Sequence, residues 1–265
     1  MKKVILLFLP LLLGAFQAKD TARDKALDSL ATAERGFSAA AVQYGIKAAF
    51  LENLSDDAIV FLPQPVNGKE GYGKMPESPA KLEWYPAYAD ISSGLDWGYT
   101  TGPYELRLKP EDAEPAAAGF YLTVWKKQPN GQWKAAIDMG NSFPVAQLKQ
   151  EPYKPARKSA QQKTKGTKTD LLAKDVQAVQ PYANETLIYR QNMYPYRYSE
   201  AAIEPAANIA YTTLGHDIAP AADMAFTYGS YTRGTDETGY YLKVWKVLDG
   251  QWKLAAHNLV PDRKP

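Results

Sequence analysis

The sequence GFYLTVWK at residues 119–126 occurs again, slightly changed, as GYYLKVWK at residues 239–246. Successive side chains of a strand point to opposite faces, so the even-numbered residues from 120 to 124 share one face and the odd-numbered residues from 121 to 125 share the other. Each copy is followed by a turn signal and a second tryptophan, as NGQWKAA at 130–136 and DGQWKLA at 249–255. Asn-Gly and Asp-Gly between apolar runs are typical of tight β-hairpins. The repeated hairpin predicts two copies of one fold in this chain.

The repeat extends upstream of the hairpins. ADI at 89–91 is matched by HDI at 216–218, YTTG at 99–102 by FTYG at 226–229, and DAIVF at 57–61 by ETLIY at 185–189. The spacing between these pairs differs only in predicted loops, where insertions are tolerated best. The tryptophans that repeat in both hairpins are therefore assigned to the shared scaffold and not to a site: Trp125, Trp133, Trp245 and Trp252.

Residues 1–18 have the order of a secretory signal peptide: a basic start, an apolar run over 4–13 and small residues near Ala18. The apolar run is about half of the ~20 residues that a spanning helix needs, and it contains Pro10. We expect cleavage after Ala18 and export to the periplasm or the cell exterior, an uncleaved anchor being the alternative.

Residues 147–169 are rich in Lys, Arg, Pro and Gln and show no apolar periodicity. Such a segment is typical of a basic flexible linker, and a polybasic tether for nucleic acid is the alternative. The linker divides the mature chain into a first domain, 19–146, and a second domain, 170–262.

Helical periodicity over 21–54, with a break predicted at Gly45, precedes long alternating strands in the first domain. The second domain has room for only one short helix over 170–179. Helices followed by an antiparallel meander indicate an α+β fold, with the second copy reduced. If helices cover one sheet face in the first copy, the second copy has lost part of that cover, and we expect the two domains to pair within the chain.

The composition excludes several classes of function. Among 265 residues there are 31 Lys and Arg, 29 Asp and Glu, two His and no Cys. Lys2 and Lys3 fall in the signal segment, so the rest of the chain is balanced in charge, which indicates no nucleic-acid partner and no membrane partner after cleavage. Absent cysteines exclude disulfides and thiol nucleophiles, and two histidines cannot form a three-imidazole zinc centre. We expect no cofactor and no metal.

The sequence GKEGYGKM at residues 68–75 is close to a phosphate-binding loop. It has Met75 where such a loop needs Ser or Thr, and Pro76 interrupts the helix that should follow. We therefore interpret it as a mobile, glycine-rich loop.

Several segments together resemble the nuclear transport factor 2-like superfamily, more narrowly an exported bacterial branch of unassigned function. The segments are AERGFS at 33–38, DDAIVF at 56–61, PVNGK at 65–69, GYTTGP at 98–103 and VWKKQPNGQWK at 124–134. The resemblance covers residues 22–145 well and residues 170–262 more faintly. It implies two tandem cone-shaped, cystatin-like domains, each a bent antiparallel sheet around helices, with a pocket at the open end. That superfamily includes ketosteroid isomerases, polyketide cyclases and scytalone dehydratases, and its members often dimerise through the outer face of the sheet.

Asp138 is the candidate catalytic residue. It follows the apolar run over 135–137, and the repeat aligns it with His257. One interpretation is a pocket acid or base whose pKa is raised by burial. The alternative is a strand-end residue that caps a turn at Gly140-Asn141.

Trp84, Tyr99 and Tyr121 are candidate ligand-binding residues, because aromatic walls suit flat apolar ligands. The alternative for each is ordinary core packing. We expect the chain to bind a small hydrophobic ligand in the first domain, with the second domain as its pseudo-dimer partner and a homodimer also possible. A catalytic alternative is an isomerase, cyclase or hydrolase with Asp138 as general base, and a third is a structural or protein-binding module without a pocket.

Overall fold

The computed structural model of the chain describes residues 9–156, 165–178, 180–197 and 208–262. The helices are α1 (Leu9–Tyr44), α2 (Ile46–Asn53), α3 (Gly68–Lys74) and α4 (Lys168–Asp175), with a 3₁₀ turn at Val145–Gln147. The strands before α4 are β1 (Leu54–Phe61), β2 (Pro65–Asn67), β3 (Lys81–Trp84), β4 (Tyr88–Ile91), β5 (Trp97–Arg107), β6 (Ala117–Lys127), β7 (Trp133–Phe143) and β8 (Lys154–Pro155). Those after it are β9 (Tyr182–Arg190), β10 (Met193–Arg197), β11 (Ile209–Ile218), β12 (Met224–Arg233), β13 (Glu237–Leu248) and β14 (Gln251–Pro261).

The strands form two sheets, which confirms the α+β fold with two tandem cone-like halves. The first sheet has the order β2-β1-β7-β6-β5-β4-β8, with β3 also paired to β5, and the second has the order β10-β9-β14-β13-β12-β11. The first half has α1, α2 and α3, whereas α4 is the one α-helix among the described residues of the second, so the second copy is reduced as predicted. Most pairings are antiparallel, but β1 runs parallel to β7, β4 to β8 and β9 to β14.

Helix α1 packs on the first sheet through an apolar stripe with helical spacing, formed by Leu27, Leu30, Phe37 and Ala41. The helix ends where the sequence predicts, because Gly45 has a φ of 90° and separates α1 from α2. Among the described helices none is long and apolar enough to cross a membrane.

The two halves pack sheet against sheet. The face of β6 formed by Phe120, Leu122 and Val124 belongs to one buried cluster with Leu242 and Val244 of β13. The opposite face of β6, with Tyr121 and Trp125, packs under α1 and α2. The alternation predicted for residues 120–125 is therefore confirmed.

Polar contacts between the halves follow the sequence repeat. Lys126 of the first half forms an ion pair with Asp217 of the second, with Nζ and Oδ2 2.5 Å apart. Their repeat counterparts pair in the reverse direction, Lys246 with Asp90. Such reciprocal contacts are the mark of a self-complementary, two-fold interface, here made within one chain.

The structure corrects two interpretations of local secondary structure. The glycine-rich segment at 68–75 is not a mobile loop: Gly68–Lys74 is helix α3, because the Asn67 side chain accepts a hydrogen bond from Glu70 N and caps it, and Tyr72 is buried. Strand β7 does not end at Asp138 but continues to Phe143, so the predicted turn at Gly140-Asn141 is wrong.

Part of the signal-peptide prediction, residues 1–8, lies outside the described residues, and residues 9–18 are the first turns of α1. Residues 157–164 of the predicted linker also lie outside them. The described part of the linker makes defined contacts: β8 pairs with β4, and Trp252 Nε1 donates a hydrogen bond to Thr167 O at 3.0 Å.

Candidate functional site

A cavity of about 420 Å³ lies between helices α1 to α3 and the helix-covered face of the first sheet. Its walls are mainly apolar and aromatic, and include Phe37, Phe50, Tyr72, Trp84 and Tyr121. The Phe50 and Tyr72 rings stack with centroids 4.1 Å apart, and the Trp84 ring meets Phe37 edge-on at 4.9 Å. Glu34 and Asp138 place two carboxyl groups in this apolar wall.

Glu34 is fully buried on the sheet-facing side of α1. Its Oε1 accepts a hydrogen bond from Trp84 Nε1 at 2.5 Å, and its Oε2 accepts from Trp125 Nε1 at 3.0 Å and from the Thr100 hydroxyl. Burial raises the pKa of Glu34 to about 7, since removal from water disfavours the charged form more than these donors favour it. Near neutral pH the carboxyl group is thus divided between its protonated and ionised forms.

Asp138 lies in the middle of β7, and its Oδ1 accepts a hydrogen bond of 2.6 Å from the Thr123 hydroxyl on β6. Residues 123 and 138 are directly opposed in the antiparallel β6–β7 pair, which fixes this contact. Burial raises the pKa of Asp138 to about 6, and the Thr123 hydrogen bond opposes that rise. Asp138 is therefore mostly ionised near pH 7, and its raised pKa makes it a stronger base than an ordinary carboxylate. Both properties suit a general base.

Trp84 and Tyr121 both line the cavity together with Asp138, as the sequence predicts. Within the described part of the chain, the Tyr121 hydroxyl is buried and makes no hydrogen bond of regular geometry, and Thr100 and Glu34 lie close enough to affect its pKa. A buried hydroxyl in that state is costly, and a bound ligand would satisfy it. Whether any of these residues binds a ligand or acts in catalysis stays a prediction.

Tyr99 is misplaced by the sequence interpretation. It opposes Val124 across the β5–β6 pair, so it lies on the face that contacts the second half and not in the cavity. There its ring packs beside Tyr88, with centroids 5.8 Å apart. Tyr99 is a core residue between the two sheets.

Sequence reasoning missed Glu34 as a site residue, although a signal was present. Glu34 stands four residues after Leu30 and three before Phe37, inside the apolar stripe of α1. A charged residue in such a stripe must be buried, and a buried carboxyl needs partners. Across the described ranges, no three acidic or histidine side chains lie close enough to form a metal site.

No protein-family model matches the chain, and no curated protein is significantly similar to it. Among solved structures, a protein of unknown function with a cystatin-like fold from Nostoc punctiforme is 17% identical, with a TM-score of 0.35 over 46% of this chain and 92% of that one. An NTF-2-like protein of unknown function from Shewanella oneidensis is 14% identical, with a TM-score of 0.35 over 43% of this chain and 96% of that one.

A ketosteroid isomerase-like protein from Erwinia carotovora is 16% identical, with a TM-score of 0.35 over 44% of this chain and 96% of that one. At this identity the likeness concerns the fold alone. Over about half its length, the chain is similar in fold to cystatin-like, NTF-2-like and ketosteroid isomerase-like proteins.

Proposed function

We propose that the chain is an exported small-molecule-binding protein that holds an apolar ligand in the first-domain cavity. The observation that carries the proposal is the cavity of about 420 Å³, walled by aromatic side chains and containing the Tyr121 hydroxyl and the Asp138 carboxyl. Ligand sites start at ~300 Å³ and combine apolar walls with a few polar groups. The signal-like segment at 1–18 supports export, and the fold neighbours fit a ligand-binding or isomerase-like protein.

In this proposal the second half acts as a built-in partner for the first. The reciprocal ion pairs and the apolar cluster between the sheets support that role, since they cover sheet faces that a single half would expose. The presence of a cavity counts against a purely structural module, for which no pocket is needed.

A thermal-shift screen of apolar and aromatic small molecules tests the binding function. A ligand at about 100 times its Kd stabilises the folded state by about 2.7 kcal/mol, which raises the melting temperature measurably. We expect hits with the wild-type chain and with Leu108→Trp, whose exposed residue lies outside the cavity. The matched variant Leu62→Trp, which fills the cavity from its wall, should lose the shift. A complete lack of hits, or hits that survive in Leu62→Trp, would contradict the proposal.

A second candidate function is proton abstraction from an apolar substrate, as in an isomerase or cyclase. It is favoured by Asp138, a carboxyl group with a pKa of about 6 in the same cavity as the hydrogen-bond donor Tyr121. Incubation with cyclic ketones in deuterated water should then lead to deuterium incorporation next to the carbonyl group, detected by NMR. Asp138→Asn should reduce incorporation to the rate without protein, and an unchanged rate in that variant would exclude Asp138 as the base.

A further inference from the structure

The second half contains a buried carboxyl cluster built like that around Glu34. Asp175, at the end of α4, accepts a hydrogen bond of 2.7 Å from the Thr227 hydroxyl, and Trp245 Nε1 donates to the same hydroxyl at 2.8 Å. In the sequence repeat, Thr227 and Trp245 are the counterparts of Thr100 and Trp125. Both halves therefore hold a helix carboxyl group against a threonine and a tryptophan of the sheet.

The cluster in the second half also contains a cationic side chain, Lys243. The Lys243 side chain is completely buried, with Nζ 3.2 Å from Asp175 Oδ1 and donating to Asp175 O at 2.6 Å. The same Nζ lies 3.5 Å from the centroid of the Tyr211 ring and 4.5 Å from that of the Tyr241 ring. A desolvated ammonium group is thus held by a carboxylate and two aromatic faces, the arrangement that recognises cationic ligands elsewhere.

Strand register identifies the counterparts of these residues in the first half. Tyr211 pairs with Tyr231 across β11 and β12 as Trp84 pairs with Tyr104 across β3 and β5. Trp84 therefore occupies the place of Tyr211, and indole is the better ring for a cation.

The same strand register identifies the counterpart of Lys243 in the first half. Lys243 opposes His257 across β13 and β14 as Thr123 opposes Asp138 across β6 and β7. The first half thus has a short hydroxyl where the second has an ammonium, and a second carboxyl group where the second has a histidine. Among the described residues that line the first cavity, none is Lys, Arg or His.

The two halves also differ in the hydrogen bonds of a tyrosine hydroxyl near the carboxyl group. The Tyr241 hydroxyl donates to Asp175 Oδ2 at 2.6 Å, whereas the hydroxyl of its counterpart Tyr121 makes no hydrogen bond of regular geometry in the described ranges. The carboxyl group and the aromatic faces are retained in the first half, and the described residues of the cavity wall supply no cation to them.

We propose, resting on the binding function above, that the first-domain cavity takes an apolar molecule bearing a cationic amine, held by Trp84, Tyr121 and the carboxyl groups of Glu34 and Asp138. The amine fills the role that Lys243 has in the second half, and the apolar part of the ligand fills the space that the shorter Thr123 leaves. Burial raises the pKa of Glu34 and of Asp138, so a cation bound beside them would favour their ionised forms.

The test is isothermal titration calorimetry with three probes of similar size: phenethylamine, phenethyl alcohol and phenylacetate. We expect the amine to bind about tenfold or more tightly than the alcohol, and phenylacetate to bind most weakly. Asp138→Asn should weaken the amine about tenfold and leave the alcohol nearly unchanged, and the surface control Asp249→Asn, whose side chain is 91% exposed, should leave all three unchanged. Thr123→Lys should abolish amine binding by supplying the ammonium from within.

Each other outcome is decisive. If the alcohol or phenylacetate binds as tightly as the amine, the cationic preference is overturned while the binding function stands. If Asp138→Asn weakens all three probes equally, the carboxyl group does not recognise charge and the inference falls. If no probe binds the wild-type chain, both the inference and the binding function are contradicted.

Discussion

Glu34 is a carboxyl group that accepts hydrogen bonds from two indoles and a hydroxyl, with no described cation in contact. Its ionised form is therefore less stable in the folded chain than in water, and its pKa rises to about 7 from the ordinary 4.5. Below both values the carboxyl group is protonated in both states and makes no pH-dependent contribution. As the pH rises, the unfolded chain loses the proton first, so the folded state loses stability between these values.

Glu34→Gln should remove this contribution, because glutamine has no proton to lose. The free energy of unfolding of the variant, relative to wild type, should improve by about 2 kcal/mol between about pH 5 and about pH 8. Urea unfolding at the two pH values measures it. Parallel pH profiles would show that Glu34 is not responsible.

The residues of the site were predictable to different degrees. Trp84 and Tyr121 were selected as aromatic residues suited to the wall of a pocket, and both line the cavity. Tyr99 was selected on the same grounds but does not line the cavity. Alternation could not show this, because it tells which residues share a face but not which face meets the helices; that requires the pairing of Tyr99 with Val124. Glu34 was overlooked since its significance depends on Trp84, Thr100 and Trp125, which come from three different strands.

At the scale of elements, the junction between α1 and α2 depends on one backbone conformation. Gly45 has a φ of 90°, which side-chain-bearing residues rarely adopt, and nothing lies within 4 Å of where its Cβ would be. A substitution there is opposed by backbone strain and not by a clash. Gly36, inside α1, has equally open surroundings but lies in a regular helix.

Gly45→Ala and Gly36→Ala should therefore have opposite effects on stability. We expect Gly45→Ala to lower the free energy of unfolding by about 1 to 3 kcal/mol and Gly36→Ala to raise it by about 1 kcal/mol. Chemical denaturation followed by circular dichroism compares the two. Equal effects of the same sign would show that the junction does not depend on the Gly45 conformation.

Helix α3 and strand β7 show why some elements escaped prediction. Three glycines in Gly68–Lys74 give a low intrinsic helix propensity, and the Asn67 cap and the packing of Tyr72 on Phe50 outweigh it. Strand β7 carries Gly140 and Asn141, a common turn pair, yet Asn141 continues the strand because its side chain donates to Asn258 Oδ1 of the second half at 3.2 Å. Tertiary contacts of this kind have no local signature.

At the scale of the whole molecule, the two cross-domain ion pairs are related by the repeat but differ in burial. Asp90 is 1% exposed and is contacted by Lys246 and Arg23, whereas Asp217 is 44% exposed. Losing a partner leaves a buried carboxylate poorly compensated, while an exposed one is rehydrated.

Lys246→Met should accordingly destabilise the chain by about 2 kcal/mol, and the matched Lys126→Met by less than about 1 kcal/mol. In Lys246→Met, Arg23 still pairs with Asp90, so the expected loss of stability is smaller than for a buried carboxylate without any partner. Urea unfolding of the two variants gives the comparison. A larger loss for Lys126→Met would mean that burial of Asp90 does not govern the association of the halves.

The reciprocal arrangement of Lys126 with Asp217 and Lys246 with Asp90 has a consequence for how such a protein can diverge. In a dimer of two identical chains, a lysine that fills the cavity of one subunit is present in both subunits. Both cavities then lose ligand binding. When both copies lie in one gene, a substitution in one copy no longer changes the other, and the two copies can differ in sequence. Lys243 thus places a buried ammonium group in the second half, while Thr123 places a short hydroxyl group at the matching position in the first.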